Sequence, residues 1–239
     1  MPPRHRTLAL IAASAALPAL AAAQTFATGL LANEIEGKDA TWTVTCRQVI
    51  ETSGIAAPCN STTASPAQQA SIVTARPGGW ATVPTVGGAR YISVLSTASV
   101  FHGTPNEDAR FEYVFRRTFN APAGGPFTLF LNLFRLDNYL ATQNPVSVTL
   151  NGVSGVIMPM PGAPNTANWQ TNRTVTFSNV IASPSDNNVL EIAITGNGRT
   201  DGILVDGRLN VVPEPSTYAL MATGMAGLLA VARRRRVQG

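Results

Sequence analysis

Residues 146–152 read Val-Ser-Val-Thr-Leu-Asn-Gly. The two valines and the leucine fall on one face of an extended chain, while the serine, threonine and asparagine fall on the other. Alternation with a period of two is typical of a strand with one buried face. The pair Asn151-Gly152 is a strong signal for a tight turn. The stretch therefore predicts a strand that runs into a hairpin.

Stretches of the same kind recur through the middle of the chain, separated by Gly, Pro and Asn. In residues 189–195, for example, Val, Glu, Ala and Thr oppose Leu, Ile and Ile. Several short strands joined by polar turns predict an all-β fold, an antiparallel β-sandwich over residues 24–211. The predicted strands are residues 41–45, 91–95, 112–119, 127–134, 146–151, 173–180, 189–195 and 203–211.

The N-terminus carries the features of a secretory signal peptide over residues 1–23. Arg4 and Arg6 precede an apolar run at residues 8–17, and small residues at Ala21 and Ala23 suit signal peptidase. Cleavage after Ala23 would leave Gln24 as the first residue. The apolar run is shorter than the about 20 residues of a membrane-spanning helix. The alternative is a buried N-terminal helix.

The formal net charge of +4 comes from the two ends of the 239-residue chain. Two of the 17 basic residues lie in the predicted signal peptide, and four form a cluster at residues 233–236. Residues 24–232 keep 11 basic residues against all 13 acidic ones, so this part of the chain is slightly acidic. No basic stripe remains for phosphates, which excludes a nucleic-acid partner.

Two cysteines, Cys46 and Cys59, lie 13 positions apart in a chain that is directed to an oxidising compartment. A disulfide between them is expected. Closing a loop of that size stabilises a fold by about 3 kcal/mol in the chain-entropy estimate. A zinc site is not expected, because His102 is the only histidine outside the signal peptide and no Cys-x-x-Cys spacing occurs.

The C-terminus has three parts in a fixed order. Residues 212–217 read Val-Pro-Glu-Pro-Ser-Thr, residues 218–232 are apolar or small, and four arginines follow, Arg233, Arg234, Arg235 and Arg236. Two prolines hold the intervening glutamate extended. A helix over residues 217–232 would rise about 24 Å, somewhat less than a ~30 Å hydrocarbon core, and snorkelling arginines can cover the difference. The arginines should stay cytoplasmic as a membrane stop.

These three parts, residues 212–237, resemble the PEP-CTERM sorting segment of Gram-negative bacteria. In that family a membrane-embedded exosortase is thought to recognise the motif and release or transfer the protein to the cell surface or the exopolysaccharide matrix. The resemblance implies a sorting motif at Pro213, Glu214, Pro215 and Ser216, with the catalytic residues on the exosortase. The alternative is an ordinary C-terminal membrane anchor that follows a proline-rich linker.

The body resembles the galactose-binding-like jelly roll, which implies its architecture and suggests glycan binding. The residues that carry this likeness are 90–93, 113–119, 136–138, 148–152, 188–192 and 202–207. Residues 24 to about 75 depart from the pattern. They either pair into the sandwich or form a lid across it.

No catalytic, cofactor or metal site is expected. His102 lies in a predicted loop, and no Gly-x-Ser-x-Gly elbow or phosphate-binding glycine loop occurs. Glu107, Asp108 and Glu112 offer a weak carboxylate signal for glycoside chemistry. Residues 197–202, Asn-Gly-Arg-Thr-Asp-Gly, have oxygen ligands suited to calcium but are better interpreted as a simple turn.

Trp42, Trp80 and Trp169 are candidate platforms for sugar rings. Trp169 lies in a polar run and is the best candidate for a glycan contact, although a tryptophan beside a strand is more often a core residue. The sequence as a whole predicts a non-catalytic exported protein with a structural or adhesive role at the cell surface or in the matrix. The alternatives are a carbohydrate-binding module and, least supported, an enzyme. The expected partners are signal peptidase, exosortase, the membrane before processing, and exopolysaccharide.

Overall fold

The chain divides into a body, Ala22–Val212, and a second unit that takes in both termini, Met1–Ala21 and Pro213–Gly239. The predicted signal peptide, with Ala21 and Ala23, lies outside the described residues. The computed structural model describes residues 24–74, 88–102, 109–121, 126–136, 147–159, 172–181, 187–199, 201–211, 220–228 and 233.

Thirteen strands and one short 3-10 helix, Leu31–Asn33, lie in the described part of the body. The strand pairs are antiparallel. In chain order the strands are β1 (Gln24–Ala27), β2 (Glu34–Ile35), β3 (Lys38–Ile50), β4 (Gln68–Ile72), β5 (Ile92–Ser93), β6 (Arg110–Phe119), β7 (Phe127–Leu136), β8 (Ser147–Leu150), β9 (Val153–Ser154), β10 (Val156–Pro159), β11 (Asn172–Val180), β12 (Asn188–Gly196) and β13 (Gly202–Val211).

The all-β antiparallel prediction is confirmed, and each of the eight predicted strands coincides with an observed one. The strand predicted at residues 91–95 is shorter, since only Ile92–Ser93 pair. Five strands were not predicted: β1, β2, β4, β9 and β10. They are two to five residues long and do not alternate clearly; β4 reads Gln-Gln-Ala-Ser-Ile and β10 ends in proline.

The strands follow the order β10-β11-β7-β13-β5-β4-β3-β6-β12-β8-β9, with β1 added to β13 and β2 to β3. The two-residue strand β5 links two larger halves, and both halves contribute buried side chains to one hydrophobic core. This arrangement is consistent with a jelly-roll-like sandwich. Residues 24–74 belong to it, because β1 pairs with β13 and β3 lies between β4 and β6. The lid alternative is therefore wrong.

The sheet is nearly closed, and the chain itself joins its two ends at Gly155. Strands β9 and β10 lie at opposite ends of the strand order, yet only this glycine separates them in sequence. A Cβ atom at Gly155 would lie 2.6 Å from Cζ of Phe177 and 2.7 Å from Cγ1 of Val175. Glycine is needed here because the backbone passes directly over core side chains.

The core follows from the alternation of the long strands. On β6, Phe111, Tyr113, Phe115, Arg117 and Phe119 are buried, and the residues between them are exposed or half-buried. The other strands of both halves contribute inward residues in the same way. These include Trp42, Val44 and Cys46 from β3, Leu129 and Leu131 from β7, Leu190, Ile192 and Ile194 from β12, and Val205 and Leu209 from β13.

Two local predictions are confirmed. Cys46 and Cys59 form a disulfide with both side chains buried. Asn151 and Gly152 form the turn between β8 and β9, with φ values of 52° and 78°. Two successive positive φ values define the type I′ hairpin turn, which the Asn-Gly pair favours.

Candidate functional site

A cleft opens on the outer face of the sheet where strands β3 and β6 separate. Their pairing ends at Thr43 and Arg116. Beyond that point β3 is irregular and shifts register by several residues against β4, whereas β6 continues beside β12 to Phe119. The cleft has a volume of about 550 Å³ and is lined by Ala40, Thr41, Thr43, Arg116, Arg117, Thr118, Phe119 and Asn120.

A buried acidic residue fixes the irregular part of β3. Asp39 is fully buried, and its Oδ2 accepts a hydrogen bond from the backbone N–H of Gly29 at 2.6 Å. Its Oδ1 accepts from the N–H of Thr41 at 2.9 Å and from the Thr41 hydroxyl at 2.7 Å. A carboxylate that accepts hydrogen bonds from the residue two positions later in the chain stabilises a local turn. The acid therefore holds the strand in the shape that opens the cleft.

A buried arginine lies beneath the same region. The guanidinium carbon of Arg117 is 4.1 Å from the centre of the Phe26 ring and 5.9 Å from that of Trp42. Its Nη1 donates to the carbonyl of Ala27 at 3.4 Å. Burial lowers the pKa of this guanidinium, and the charge of Asp39 opposes that shift. Two aromatic faces and a nearby carboxylate thus stabilise a buried cation.

Sequence reasoning did not identify Arg117 or Asp39. The signal for the arginine was present, because Arg117 occupies an inward position in the alternation of β6, between Phe115 and Phe119. A charged residue at an inward position of a strand predicts a buried charge with a partner. The signal for the partner was absent, because Asp39 is far from Arg117 in the sequence.

Two of the candidate catalytic residues, His102 and Glu112, lie in the described part of the chain. His102 is exposed, and its backbone N–H donates to the carbonyl of Gly54. Glu112 is held in an ion pair on the outer sheet face, 2.7 Å from Nη2 of Arg47. The hydrogen bond and the charge of Glu112 raise the pKa of Arg47. Glu107 and Asp108 lie outside the described residues.

Asn197, Gly198, Arg199 and Asp201 lie between β12 and β13, and their side chains and backbone hydrogen-bond to one another. The carboxylate of Asp201 accepts from the N–H of Gly198 at 2.6 Å, and Oδ1 of Asn197 accepts from the N–H of Arg199 at 3.1 Å. Among the residues with described positions, no group of three or more His, Cys, Asp or Glu side chains suits a metal ion.

Of the three tryptophans, only Trp42 lies in the described part of the chain, and it is fully buried in the core. It is not a platform for a sugar ring. Trp80 and Trp169 lie outside the described residues.

The C-terminal segment begins where the last strand ends, at Val211. Residues 220–228 are helical, and their side chains are exposed, with 76% of Leu220 and 61% of Leu228 accessible. The sorting residues Pro213, Glu214, Pro215 and Ser216 and the arginines 234–236 lie outside the described residues. No helix among the positions described here has both the length and the apolar character needed to cross a membrane.

Residues 211–236 match the family description "PEP-CTERM protein-sorting motif". The chain carries a PEP-CTERM motif. The matched residues take in the proline-flanked glutamate, the short apolar segment and the arginine cluster, in the order expected from the sequence. A PEP-CTERM motif implies an exported protein that an exosortase processes.

Other comparisons add little to the PEP-CTERM match. No curated protein matches the sequence. Among solved structures, the GH31 alpha-xylosidase from Xanthomonas citri is similar at 12% identity with a TM-score of 0.34. That similarity covers 77% of this chain and 18% of the enzyme. At this level it carries no argument about fold or activity.

Proposed function

We propose that the protein is a non-catalytic structural or adhesive component that an exosortase delivers to the cell surface or the exopolysaccharide matrix. The observation that carries this proposal is the PEP-CTERM match at residues 211–236. The disulfide between Cys46 and Cys59 supports it, since such bonds persist in oxidising compartments outside the cytosol.

Each end of the chain has a separate task in this proposal. Signal peptidase removes residues 1–23, with Ala21 and Ala23 at the cleavage site. A helix over residues 217–232 then holds the exported chain in the inner membrane, and Arg233–Arg236 stop its transfer on the cytoplasmic side. The exosortase recognises Pro213, Glu214, Pro215 and Ser216. Because β13 ends at Val211, this motif follows the folded body after a single residue.

The test replaces the motif residues in the producing cell. The triple variant Pro213→Ala, Glu214→Ala, Pro215→Ala should remain in the membrane fraction at its unprocessed size, because the stiff extended segment and its charge are both lost. A second variant exchanges two residues, Pro213→Glu with Glu214→Pro, and keeps the composition. It should be retained in the same way if the order of residues is read.

The control is Glu51→Ala, which removes an exposed acidic residue of the body and leaves the motif intact. It should be processed and released normally. Release of the triple variant at the native size and amount would refute sorting through this motif.

A second candidate function is a carbohydrate-binding module that tethers matrix glycans. The polar cleft beside β3 and β6 favours it, because hydroxyl, amide and guanidinium groups are those that proteins use to hydrogen-bond sugars. The sequence assigns a glycan contact to Trp169, in a separate polar run. Binding on a glycan array that disappears with Trp169→Ala would support that site, and absence of binding to every glycan would exclude this function.

A further inference from the structure

Six of the eight residues that line the cleft between β3 and β6 are polar or positively charged, and the other two are Ala40 and Phe119. Thr41, Thr43, Thr118 and Asn120 supply hydroxyl and amide groups, and Arg116 supplies an exposed guanidinium. None of the described residues that line the cleft is acidic. The nearby carboxylate of Asp39 is buried and accepts three hydrogen bonds, so it does not present itself to a ligand.

The guanidinium of Arg116 is poorly engaged by the protein. Its side chain is 53% exposed, and its Nε lies 3.8 Å from Oε1 of Glu191. This distance exceeds the usual range of a hydrogen bond, about 2.7–3.2 Å, so the two groups attract each other by charge without a hydrogen bond. Arg47, on the same outer face of the sheet, is engaged by contrast in a close contact of 2.7 Å with Glu112.

The ladder between the two strands is interrupted at the cleft, where the N–H of Thr41 is bonded to Asp39 and the carbonyl of Phe119 accepts from Nδ2 of Asn188. Strand β3 leaves β6 at Thr43, so the ladder between these strands does not extend to Ala40–Trp42 or to Arg117–Phe119. A ligand in this gap would meet peptide groups from two strands together with threonine hydroxyls. A chain of hydroxyl-bearing rings satisfies such groups along its whole length.

From this lining we infer that the cleft binds an acidic polysaccharide, with a uronate carboxylate on Arg116 and sugar hydroxyls on the threonine and asparagine side chains. The exposed charge of Arg116 favours a carboxylate-bearing polymer over a neutral one. The choice of a polysaccharide as the ligand rests on the proposed function, which delivers the protein to a polysaccharide layer. Binding itself requires neither exosortase nor membrane.

The test measures binding of the purified full chain, kept soluble in detergent micelles, to immobilised polygalacturonate. The wild type should bind at low salt and weaken as salt rises, because the contact includes an exposed charge. Arg116→Gln should bind about tenfold less tightly, since it loses a charge-assisted hydrogen bond. Arg47→Gln is the matched control, because it removes an exposed arginine of the same sheet face outside the cleft, and it should bind like the wild type.

Two further arms separate this site from general attraction between charges. Glu191→Gln should bind roughly threefold more tightly, because the carboxylate that competes for Arg116 is removed. Dextran, a neutral polysaccharide, and polyglutamate, an acidic polymer without sugar hydroxyls, should both bind weakly. Absence of binding to polygalacturonate, equal binding to either comparison polymer, or equal loss in Arg116→Gln and Arg47→Gln would overturn the inference. A failure of exosortase sorting would leave all of these measurements unchanged.

Discussion

Removal of the disulfide is expected to lower the stability of the body without changing its fold. The double variant Cys46→Ala, Cys59→Ala removes a bond that closes a loop of sequence separation 13. The segment that follows Cys59 stays attached to β3 by other contacts. The N–H of Gln48 donates to the carbonyl of Ser61 at 2.7 Å, and the N–H of Ser65 donates to the carbonyl of Cys46 at 2.9 Å. The loss therefore acts mainly through the unfolded chain, which gains freedom when the bond is removed.

The length of the closed loop determines how much free energy of unfolding is lost. The chain-entropy estimate gives about 3 kcal/mol for a loop of this size. For a domain of 150–250 residues each kcal/mol shifts the unfolding midpoint by about 2–4 °C, so the double variant should unfold about 6–12 °C lower than the wild type.

Thermal unfolding followed by circular dichroism measures this shift, and reduction provides an internal check. Dithiothreitol should lower the midpoint of the wild type to that of the double variant and leave the double variant unchanged. Ser53→Ala, an exposed change within the same loop, is the control and should keep the native midpoint. A double variant that unfolds within about 2 °C of the wild type would show that the bond does not constrain the unfolded chain.

Two further changes test the packing around the site. Arg117→Met removes a buried guanidinium that lies on the Phe26 ring and whose charge interacts with that of Asp39, and it should destabilise the body by about 2 kcal/mol in denaturant unfolding. Asp39→Asn removes the opposite charge, so the double variant should be less unstable than the sum of the two single variants; additivity would refute the charge interaction. Gly207→Ala places a Cβ atom 2.5 Å from the carbonyl oxygen of Phe130 on the adjacent strand and should lower the free energy of unfolding by about 2 kcal/mol. The control, Ser154→Ala on the exposed strand β9, should change it by less than about 0.5 kcal/mol. Equal stabilities of these two variants would contradict the predicted clash.

The long strands were predictable from the sequence because their alternation is local. Residues 112–119 and 189–195 alternate over enough positions to show which face is buried, and both lie within observed strands. The strands that were missed have no such pattern. β4 and β9 are strands because neighbours fix them: β4 fills the place between β3 and β5, and β9 completes a hairpin that the Asn151-Gly152 turn begins.

The two candidate functional features, the PEP-CTERM motif and the cleft, differ in the same way in how far the sequence predicts them. The PEP-CTERM motif is a linear sequence, so its three parts stand in order along the chain and are visible without the fold. The cleft is the opposite case, because it exists where the pairing of Thr43 with Arg116 ends, and those residues are 73 positions apart. No local pattern marks the place where two distant strands separate. A site of this kind is found only once the register of the sheet is known, whereas a linear sorting motif can be recognised in the sequence alone.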